Sequence, residues 1–360
     1  MKGKILSSMI VFLGLTLYFL SISSLQAMET NPSQEEKTVY IPKEVKKVIE
    51  KGMESRQARQ DIPFEVFRHL YLPASENVHS IFFFKIKNSD LGYVPMAAAG
   101  TQEKKEEQPE RAKEASTSQG MLQTKTHAFL QFNRLDVDFE REVYVPVNFQ
   151  IEEAAFAPEK EVICTIGYPL PPGNYLLSLA IASQDLKKIG TQYFEFTLPD
   201  TAEFTDTLDT TPIFFIDELK RMPSPEMKVE IHKEYFTYSV LKIKPNLEKT
   251  FSSGKNLDIF LFVYGAKPNP DGTYAIDATY QVLQDDKPII KFAGTKYDTP
   301  IISQPLPLKK TVIVQTTKGE EKTEKKETKE LEPGVYTLKM GLKCSVTGFS
   351  VTKITEFTIE

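Results

Sequence analysis

The sequence contains no tryptophan, and only two cysteines and four histidines occur among its 360 residues. Many carbohydrate platforms and interaction hot spots depend on tryptophan, so that evidence for a binding surface is missing. A chain of this length can bury a sufficient core without disulfide staples. Cys164 and Cys344 are either one bridge in an oxidising compartment or two buried thiols. Cys344 continues the apolar alternation of Leu338, Met340 and Leu342, which favours a core position.

The histidines and serines match no motif of a known chemistry. The four histidines are never two, three or four residues apart, and no HExxH occurs, so no zinc site is predicted at His69, His79, His127 or His232. The chain has no GxSxG elbow, and residues 252–256 lack the upstream glycine of a phosphate loop. We predict no catalytic, cofactor-binding or metal-binding residues, and we expect a protein that is not an enzyme.

Charge of both signs is spread along the chain. The 44 Lys and Arg against 49 Asp and Glu give a net charge of −5. Nucleic-acid binding requires Lys and Arg clustered on one face, so no nucleic-acid partner is expected.

The amino terminus has the order of a secretory signal. Lys2 and Lys4 precede the uncharged run 9–20, and a small polar segment ends at Ala27. We predict a signal peptide at 1–27; an uncleaved anchor over 5–25 is the alternative. Both place the rest of the chain outside the cytoplasm, in the periplasm or the medium. No cysteine follows the run, which argues against a lipoprotein, and no later stretch is long enough to span a membrane.

The chain repeats itself at a spacing of 161 residues. At that shift Leu170-Pro-Pro-Gly-Asn-Tyr-Leu-Leu aligns with Leu331-Glu-Pro-Gly-Val-Tyr-Thr-Leu, and Glu195-Phe-Thr-Leu aligns with Glu356-Phe-Thr-Ile without a gap. Tandem domains are typical of such a spacing. The Pro-Gly pairs favour type II turns, and the alternating residues after them predict a hairpin in each copy.

Short alternating segments throughout the chain predict an all-β fold of two tandem antiparallel sandwiches. Val143, Val145 and Val147 form one inward set, and 81–84 and 259–263 are apolar on both faces, as in central strands. Asp285-Asp286-Lys287-Pro288 predicts a hairpin turn. A parity slip between Phe236 and Ile243 predicts a β-bulge.

The predicted organisation has five parts: a signal peptide at 1–27, an N-terminal segment at 28–60, a first sandwich at 61–200, a linker at 201–222 and a second sandwich at 223–360. Charged tracts at 100–120 and 318–330 are expected to be solvated loops, because they have little apolar area to bury. Apolar residues at helical spacing predict a helix over 42–59 that packs on the first domain.

The Leu-x-Pro-Gly-x-Tyr-x-Leu pattern resembles the sixth strand of immunoglobulin-like and fibronectin-like sandwiches. It is similar to terminal domains of secreted bacterial proteins of the GWxTD group and of acidobacterial von Willebrand factor A proteins, although neither the GWxTD nor the DxSxS signature occurs. The resemblance covers about thirty residues in each copy. It implies corner tyrosines at Tyr175 and Tyr336, and it concerns fold more than activity.

Calcium is the one ion that the acidic residues suggest. Asp200, Glu203, Asp206 and Asp209 lie in the connector, where oxygen ligands could converge between domains. Their spacing matches no known calcium loop, so a solvated acidic linker is the preferred interpretation. Asn269-Pro-Asp-Gly is interpreted in the same way, as a turn before a ligand site.

Three hypotheses of function remain. The first is a non-catalytic exported protein of the bacterial envelope that serves in interaction or scaffolding with unidentified protein partners. The second is a glycan- or lipid-binding module, which a pocket with converging polar groups would favour. The third is an accessory subunit of an extracytoplasmic enzyme.

Overall fold

The computed structural model describes residues 41–74, 76–96, 120–318 and 321–360. The described chain is built almost entirely from antiparallel strands with one α-helix, so the all-β class is confirmed. The predicted signal peptide at 1–27 and residues 100–119 of the first charged tract lie outside the described residues. Within the described part of the chain, no helix has the length and apolar character that crossing a membrane requires.

The elements alternate in short strands and tight turns. Helix α1 spans Lys43–Ser55, and 3-10 turns cover Asn88–Leu91, Glu153–Ala155 and Thr201–Glu203. The first ten strands are β1 (Phe64–Ala74), β2 (Asn77–Lys87), β3 (Tyr93–Pro95), β4 (Met121–Thr124), β5 (Thr126–Arg134), β6 (Glu140–Val147), β7 (Gln150–Glu152), β8 (Glu161–Leu170), β9 (Gly173–Ser183) and β10 (Ile189–Leu198).

The remaining strands follow without another α-helix in the described chain. They are β11 (Asp209–Thr210), β12 (Phe214–Arg221), β13 (Ile231–Lys233), β14 (Phe236–Tyr238), β15 (Leu241–Pro245), β16 (Thr250–Phe251), β17 (Asn256–Tyr264), β18 (Ile276–Gln284), β19 (Lys287–Lys291), β20 (Thr295–Tyr297), β21 (Ile301–Pro307), β22 (Lys309–Lys318), β23 (Glu321–Glu330), β24 (Gly334–Cys344) and β25 (Ser350–Ile359).

Two packed sheets form the first half of the molecule. Their strand orders are β10-β9-β5-β6 and β1-β2-β8-β13, and a short β3-β4-β7 sheet lies beside them. The inner faces enclose one apolar core, which includes Val143, Val145 and Val147 as the alternation predicts. This arrangement is sandwich-like, because each strand sends alternate side chains into the core.

The second half repeats this plan around its own core. One sheet has the order β16-β25-β24-β18-β19, and the other has the order β11-β17-β12-β15-β14 with β21 also paired to β17. The turn between β18 and β19 has positive φ at Asp285 (+50°) and Asp286 (+61°), which is the backbone of a tight two-residue hairpin. The predicted hairpin at this position is confirmed.

The terminal hairpins of the two halves coincide residue by residue. Strand β24 begins at Gly334, 161 residues after the first residue of β9, Gly173, and β25 begins 161 residues after β10. Phe196 pairs with Tyr175 in the first hairpin, and Phe357 pairs with Tyr336 in the second. The repeat in the sequence is therefore a repeat of strand bounds and of register.

Each hairpin carries one buried tyrosine in the same surroundings. The Tyr175 hydroxyl donates to the Pro171 carbonyl oxygen at 2.8 Å, and the Tyr336 hydroxyl donates to the Glu332 carbonyl oxygen at 2.7 Å. Each ring also stacks on the paired phenylalanine, at centroid distances of 5.3 Å and 5.8 Å. Both tyrosines thus make the contact expected of a corner tyrosine, which ties the strand to the chain four residues upstream.

The turns before these hairpins differ from the prediction. Gly173 has φ of +148° and Gly334 has φ of +157°. A type II turn requires φ near +80° at its glycine, so the type II assignment was wrong. Positive φ is nonetheless required in both copies, and only glycine adopts it without strain.

Helix α1 packs on the outer face of the β10-β9-β5-β6 sheet. Val45 and Ile49 are buried against residues of β5, β9 and β10. The Tyr193 hydroxyl donates to the Ile49 carbonyl oxygen at 3.0 Å, and a Cβ at Gly52 would lie only 1.9 Å from that hydroxyl oxygen. The helix ends at Ser55, earlier than predicted, because Arg56 takes a left-handed φ of +53°.

A third apolar cluster joins the two halves. It contains Leu70, Leu72, Ile81 and Phe83 from the first half and Phe214, Ile216, Phe236, Ile243 and Phe260 from the second. The central strands β2 and β17 therefore send one face into their own cores and the other face into this cluster. Their apolar character on both faces reflects this stacking of sheets as well as their central positions.

The segment expected to be a linker takes part in these sheets. Strands β11 and β12 fall within 201–222 and pair with β17, and β13 then crosses to pair with β8 of the first half. The chain next returns to the second half through β14 and β15. The domain boundaries stay a prediction. The chain crosses from the second half to the first at β13 and returns to the second half at β14.

Two further predictions differ from the structure. Residues 321–330 of the second charged tract form strand β23, whose ten residues pair with β22 in antiparallel register. The partner run 311–316 is rich in residue types that favour strands. The predicted bulge near residue 240 is instead a hairpin, in which Tyr238 pairs with Leu241 and Ser239 has φ of +52°. The two residues of this turn, 239 and 240, account for the break in the alternation of apolar residues.

The cysteines are two buried free thiols in separate cores. Cys164 belongs to the core of the first half, and Cys344 belongs to the core of the second. Burial raises the pKa of the Cys164 thiol to about 12.

We predict that the two corner tyrosines contribute equally to stability. Tyr175→Phe and Tyr336→Phe each leave a carbonyl oxygen without its donor, which costs about 1–2 kcal/mol of unfolding free energy. Tyr144→Phe is the matched control, because its hydroxyl meets the partly exposed ring of His127, and it should cost less. Urea unfolding followed by circular dichroism measures all three. A loss in one copy alone would contradict the repeat of the contact.

Candidate functional site

A cleft of about 620 Å³ lies where the two halves meet. Its walls come from the end of β1, the start of β2, the end of β8 and the crossing segment, residues 226–239, which runs between the halves. The lining residues are Pro73, Ala74, His79, Gly167, Tyr168, Pro169, Glu226, Met227, Lys228, Val229, Glu230, His232, Phe236, Thr237, Tyr238 and Ser239. The volume is within the range of pockets that hold small molecules.

The two halves are tied together beside this cleft. The Tyr238 hydroxyl donates to the Pro73 carbonyl oxygen at 2.5 Å, and burial raises the pKa of that hydroxyl to about 12. Phe236, which also lines the cleft, belongs to the cluster between the halves. The cleft is therefore bounded by residues whose positions depend on how the halves stack.

His79 gives the cleft an unusual polar atom. Its Nε2 is buried and has no hydrogen-bond partner in the described structure. The ring lies against the Gly167 backbone, where a Cβ would stand 2.6 Å from Nε2, so any larger residue there would displace it. Burial lowers the pKa of this imidazole to about 4, and the histidine is neutral near pH 7. Buried nitrogens without a partner are rare, and a missing water or ion is one explanation.

Two carboxylates and an imidazole converge in the crossing segment. The ligand atoms of Glu226, Glu230 and His232 all lie within 4.8 Å of one another. His232 Nε2 is 2.8 Å from Glu226 Oε2, and the Thr237 hydroxyl donates to the same oxygen at 2.7 Å. His232 is buried on β13, whereas the two glutamates are exposed. In the described residues this is the one such group of His, Cys, Asp or Glu.

The other histidines occupy structural positions. His69 Nε2 is 2.7 Å from the Ser80 hydroxyl oxygen, its ring stacks on Phe82 at 4.9 Å, and burial lowers its pKa to about 3. His127 Nδ1 is 2.9 Å from the Tyr144 hydroxyl oxygen. All four histidines lie on strands, and only His79 and His232 line the cleft.

The acidic connector does not assemble a cation site in the described structure. Asp209 contacts Lys353, and Asp200 accepts the Ala202 backbone N–H at 2.8 Å. In the Asn269-Pro-Asp-Gly loop, Asp271 accepts a hydrogen bond from the Thr273 backbone N–H at 2.9 Å, as the predicted turn requires. Asp200, Asp209 and Asp271 are thus engaged in contacts within the protein.

The glutamates of the cleft are not predicted from the sequence. The spacings between histidines do not show them, because His232 meets carboxylates two and six residues upstream. Glu230 and His232 are two residues apart, which is the spacing of one strand face, although β13 itself begins at Ile231. This spacing is the signal that the sequence offers for Glu230. The turn that brings Glu226 into the same group depends on the fold and is not visible in the sequence.

Comparison with known proteins leaves the family open. No protein-family model matches the chain, and no curated protein matches it. The resemblance to immunoglobulin-like bacterial domains therefore stays a prediction.

We predict that two half-buried histidines, His69 and His79, make the fold sensitive to acid. The unfolded imidazoles bind protons below about pH 6.5, whereas folded His69 and His79 do so only near pH 3 and 4. The free energy of unfolding therefore falls as the pH drops from 6.5, by about 2–3 kcal/mol per histidine at pH 4.5. Urea unfolding at a series of pH values measures this slope.

The matched variants separate these histidines from other groups. His69→Gln/His79→Gln should flatten the decline between pH 6.5 and 4.5. His127→Gln should change it less, since that ring is more exposed. Equal pH slopes for the native chain and the double variant would show that these imidazoles are not responsible.

Proposed function

We propose that this chain is a non-catalytic exported binding protein of two tandem immunoglobulin-like sandwiches, and that the cleft at their junction receives a small amphipathic ligand. The observation that carries the proposal is a cleft with apolar walls, two exposed carboxylates and a buried imidazole nitrogen without a partner. The export and the non-catalytic character rest on the sequence alone.

The immunoglobulin-like assignment is supported by the repeated architecture. Both halves contain a four-strand core order, β10-β9-β5-β6 in one and β25-β24-β18-β19 in the other. Both terminal hairpins contain a tyrosine bonded to a carbonyl four residues upstream, as in tyrosine corners. Folds of this kind serve many unrelated functions, so the site has to carry the functional argument.

The chemistry of the cleft favours a ligand with two unlike parts. Pro73, Pro169 and Val229 offer apolar surface for a hydrocarbon body. The carboxylates of Glu226 and Glu230 accept hydrogen bonds from hydroxyl or ammonium groups and repel anions. A glycan fragment and a lipid with a neutral or cationic head share this chemistry.

A scaffolding role with protein partners remains the other proposal from the sequence. The cleft favours a binding module over it, because a concave site with converging polar groups is typical of small-ligand recognition.

We predict that the cleft distinguishes head groups on one apolar chain. The probes are n-octyl β-glucoside, n-octyltrimethylammonium and n-octyl sulfate, each below its micelle concentration and in the presence of EDTA. The full chain should bind the first two saturably in calorimetric titrations. It should bind the sulfate at least about tenfold more weakly, because Glu226 and Glu230 outnumber Lys228 in the lining of the cleft.

Two variants locate the binding. Ala74→Phe fills the cleft wall and should weaken binding at least about tenfold, whereas Ala155→Phe, on an exposed 3-10 turn, should leave it unchanged. Absence of binding by all three probes, or equal binding by Ala74→Phe, would refute the proposed site.

A further inference from the structure

The group of Glu226, Glu230 and His232 has the composition of a metal site. One imidazole nitrogen and two carboxylates are donors that zinc and similar divalent ions accept. Calcium needs six to eight oxygen ligands, which three residues of this kind do not supply. We propose that these three residues bind a divalent transition-metal ion of the zinc class in the wall of the cleft. The metal site uses the same two carboxylates as the proposed amphipathic ligand, so each is tested without the other: the octyl probes with EDTA and zinc without any amphiphile.

The geometry needs only small movements to close around an ion. Ligand atoms around tetrahedral zinc stand roughly 3.3 Å apart, given bonds of about 2.0–2.1 Å. The present spacings are 2.8 Å between His232 Nε2 and Glu226 Oε2 and no more than 4.8 Å among all three groups. Glu230 is exposed, so its side chain can rotate inward without displacing packed neighbours.

Two of the three groups are already positioned. His232 is buried on β13, which pairs with β8, and its ring stacks on Tyr235 at 4.7 Å. The Thr237 hydroxyl donates to Glu226 Oε2 at 2.7 Å and orients that carboxylate. Such supporting contacts are typical of metal sites, where they hold the ligands in place.

His79 lines the same cleft as the three ligands. Its Nε2 is buried against Gly167 and has no hydrogen-bond partner among the described residues. Buried polar atoms without partners call for a water, an ion or a ligand. Three protein ligands leave a fourth position on zinc for water or a donor group.

The alternative is a purely structural pair, in which His232 donates to Glu226 and no ion binds. The two possibilities differ in metal uptake. A metal ion at this position takes the place of the direct contact between His232 Nε2 and Glu226 Oε2. A structural pair keeps that contact and binds no metal.

The test is a calorimetric titration of the EDTA-treated, untagged full chain with zinc chloride at pH 7, without any amphiphile. We expect one ion per chain, a rise in the unfolding temperature on zinc addition and no comparable response to calcium chloride. No saturable uptake of zinc, or equal uptake of calcium, would overturn the proposal.

Three variants test the ligands individually. Glu230→Gln should weaken zinc binding at least about tenfold and leave the zinc-free unfolding temperature unchanged, because Glu230 is exposed. His232→Gln should abolish binding. Glu356→Gln, an exposed residue of β25, is the matched control and should bind like the native chain. Native-like zinc affinity in both Glu230→Gln and His232→Gln would reject the site, whatever the outcome with octyl probes.

Discussion

The apolar contact between the two middle sheets is the interaction on which the rest of the structure depends. Phe83 of β2 and Phe260 of β17 are each fully buried there, on the faces opposite their own cores. Burial of one such side chain contributes about 1.5–3 kcal/mol, so the cluster makes separation of the halves costly. It explains why β13 can leave the second half and pair with β8, since the sheets already lie together. The two halves therefore form one stack of sheets, with three apolar layers between the sheets.

The candidate site is a consequence of this stack. Crossing strands bring Glu226 and His232 from the second half against His79 and Gly167 of the first. The Tyr238 bond to the Pro73 carbonyl oxygen holds the two sides at a set separation. Neither half contains the cleft by itself. A ligand or an ion bound there would stabilise the stacked arrangement, because it contacts a surface that only the folded and stacked chain presents.

The sequence predicts local features of this protein better than its long-range contacts. The terminal hairpins were predictable, because Pro-Gly, tyrosine and alternating apolar residues act within each hairpin. The local sequence also accounts for one difference between the two copies, which is that a helix covers only the first of them in the described chain. Ala180 and Ala182 lie under helix α1, whereas Gly341 and Lys343 stand 161 residues later on a face without a described helix. Strand β23 was missed because its pairing depends on a partner strand more than on its own apolar content. The cleft was missed because its walls are more than fifty residues apart in sequence and meet only through the stacking of sheets.

The most direct test of this account is native-state hydrogen exchange on a variant of the shared cluster. Phe83→Ala lies in the first half and removes a side chain from the contact between the halves, at a cost of about 3–5 kcal/mol. If the stack unfolds as one unit, the slowest amides of β9 and of β24 should both exchange at least about a hundredfold faster. Faster exchange in β9 with unchanged protection in β24 would show that the halves are independent, and it would contradict the central role of the cluster.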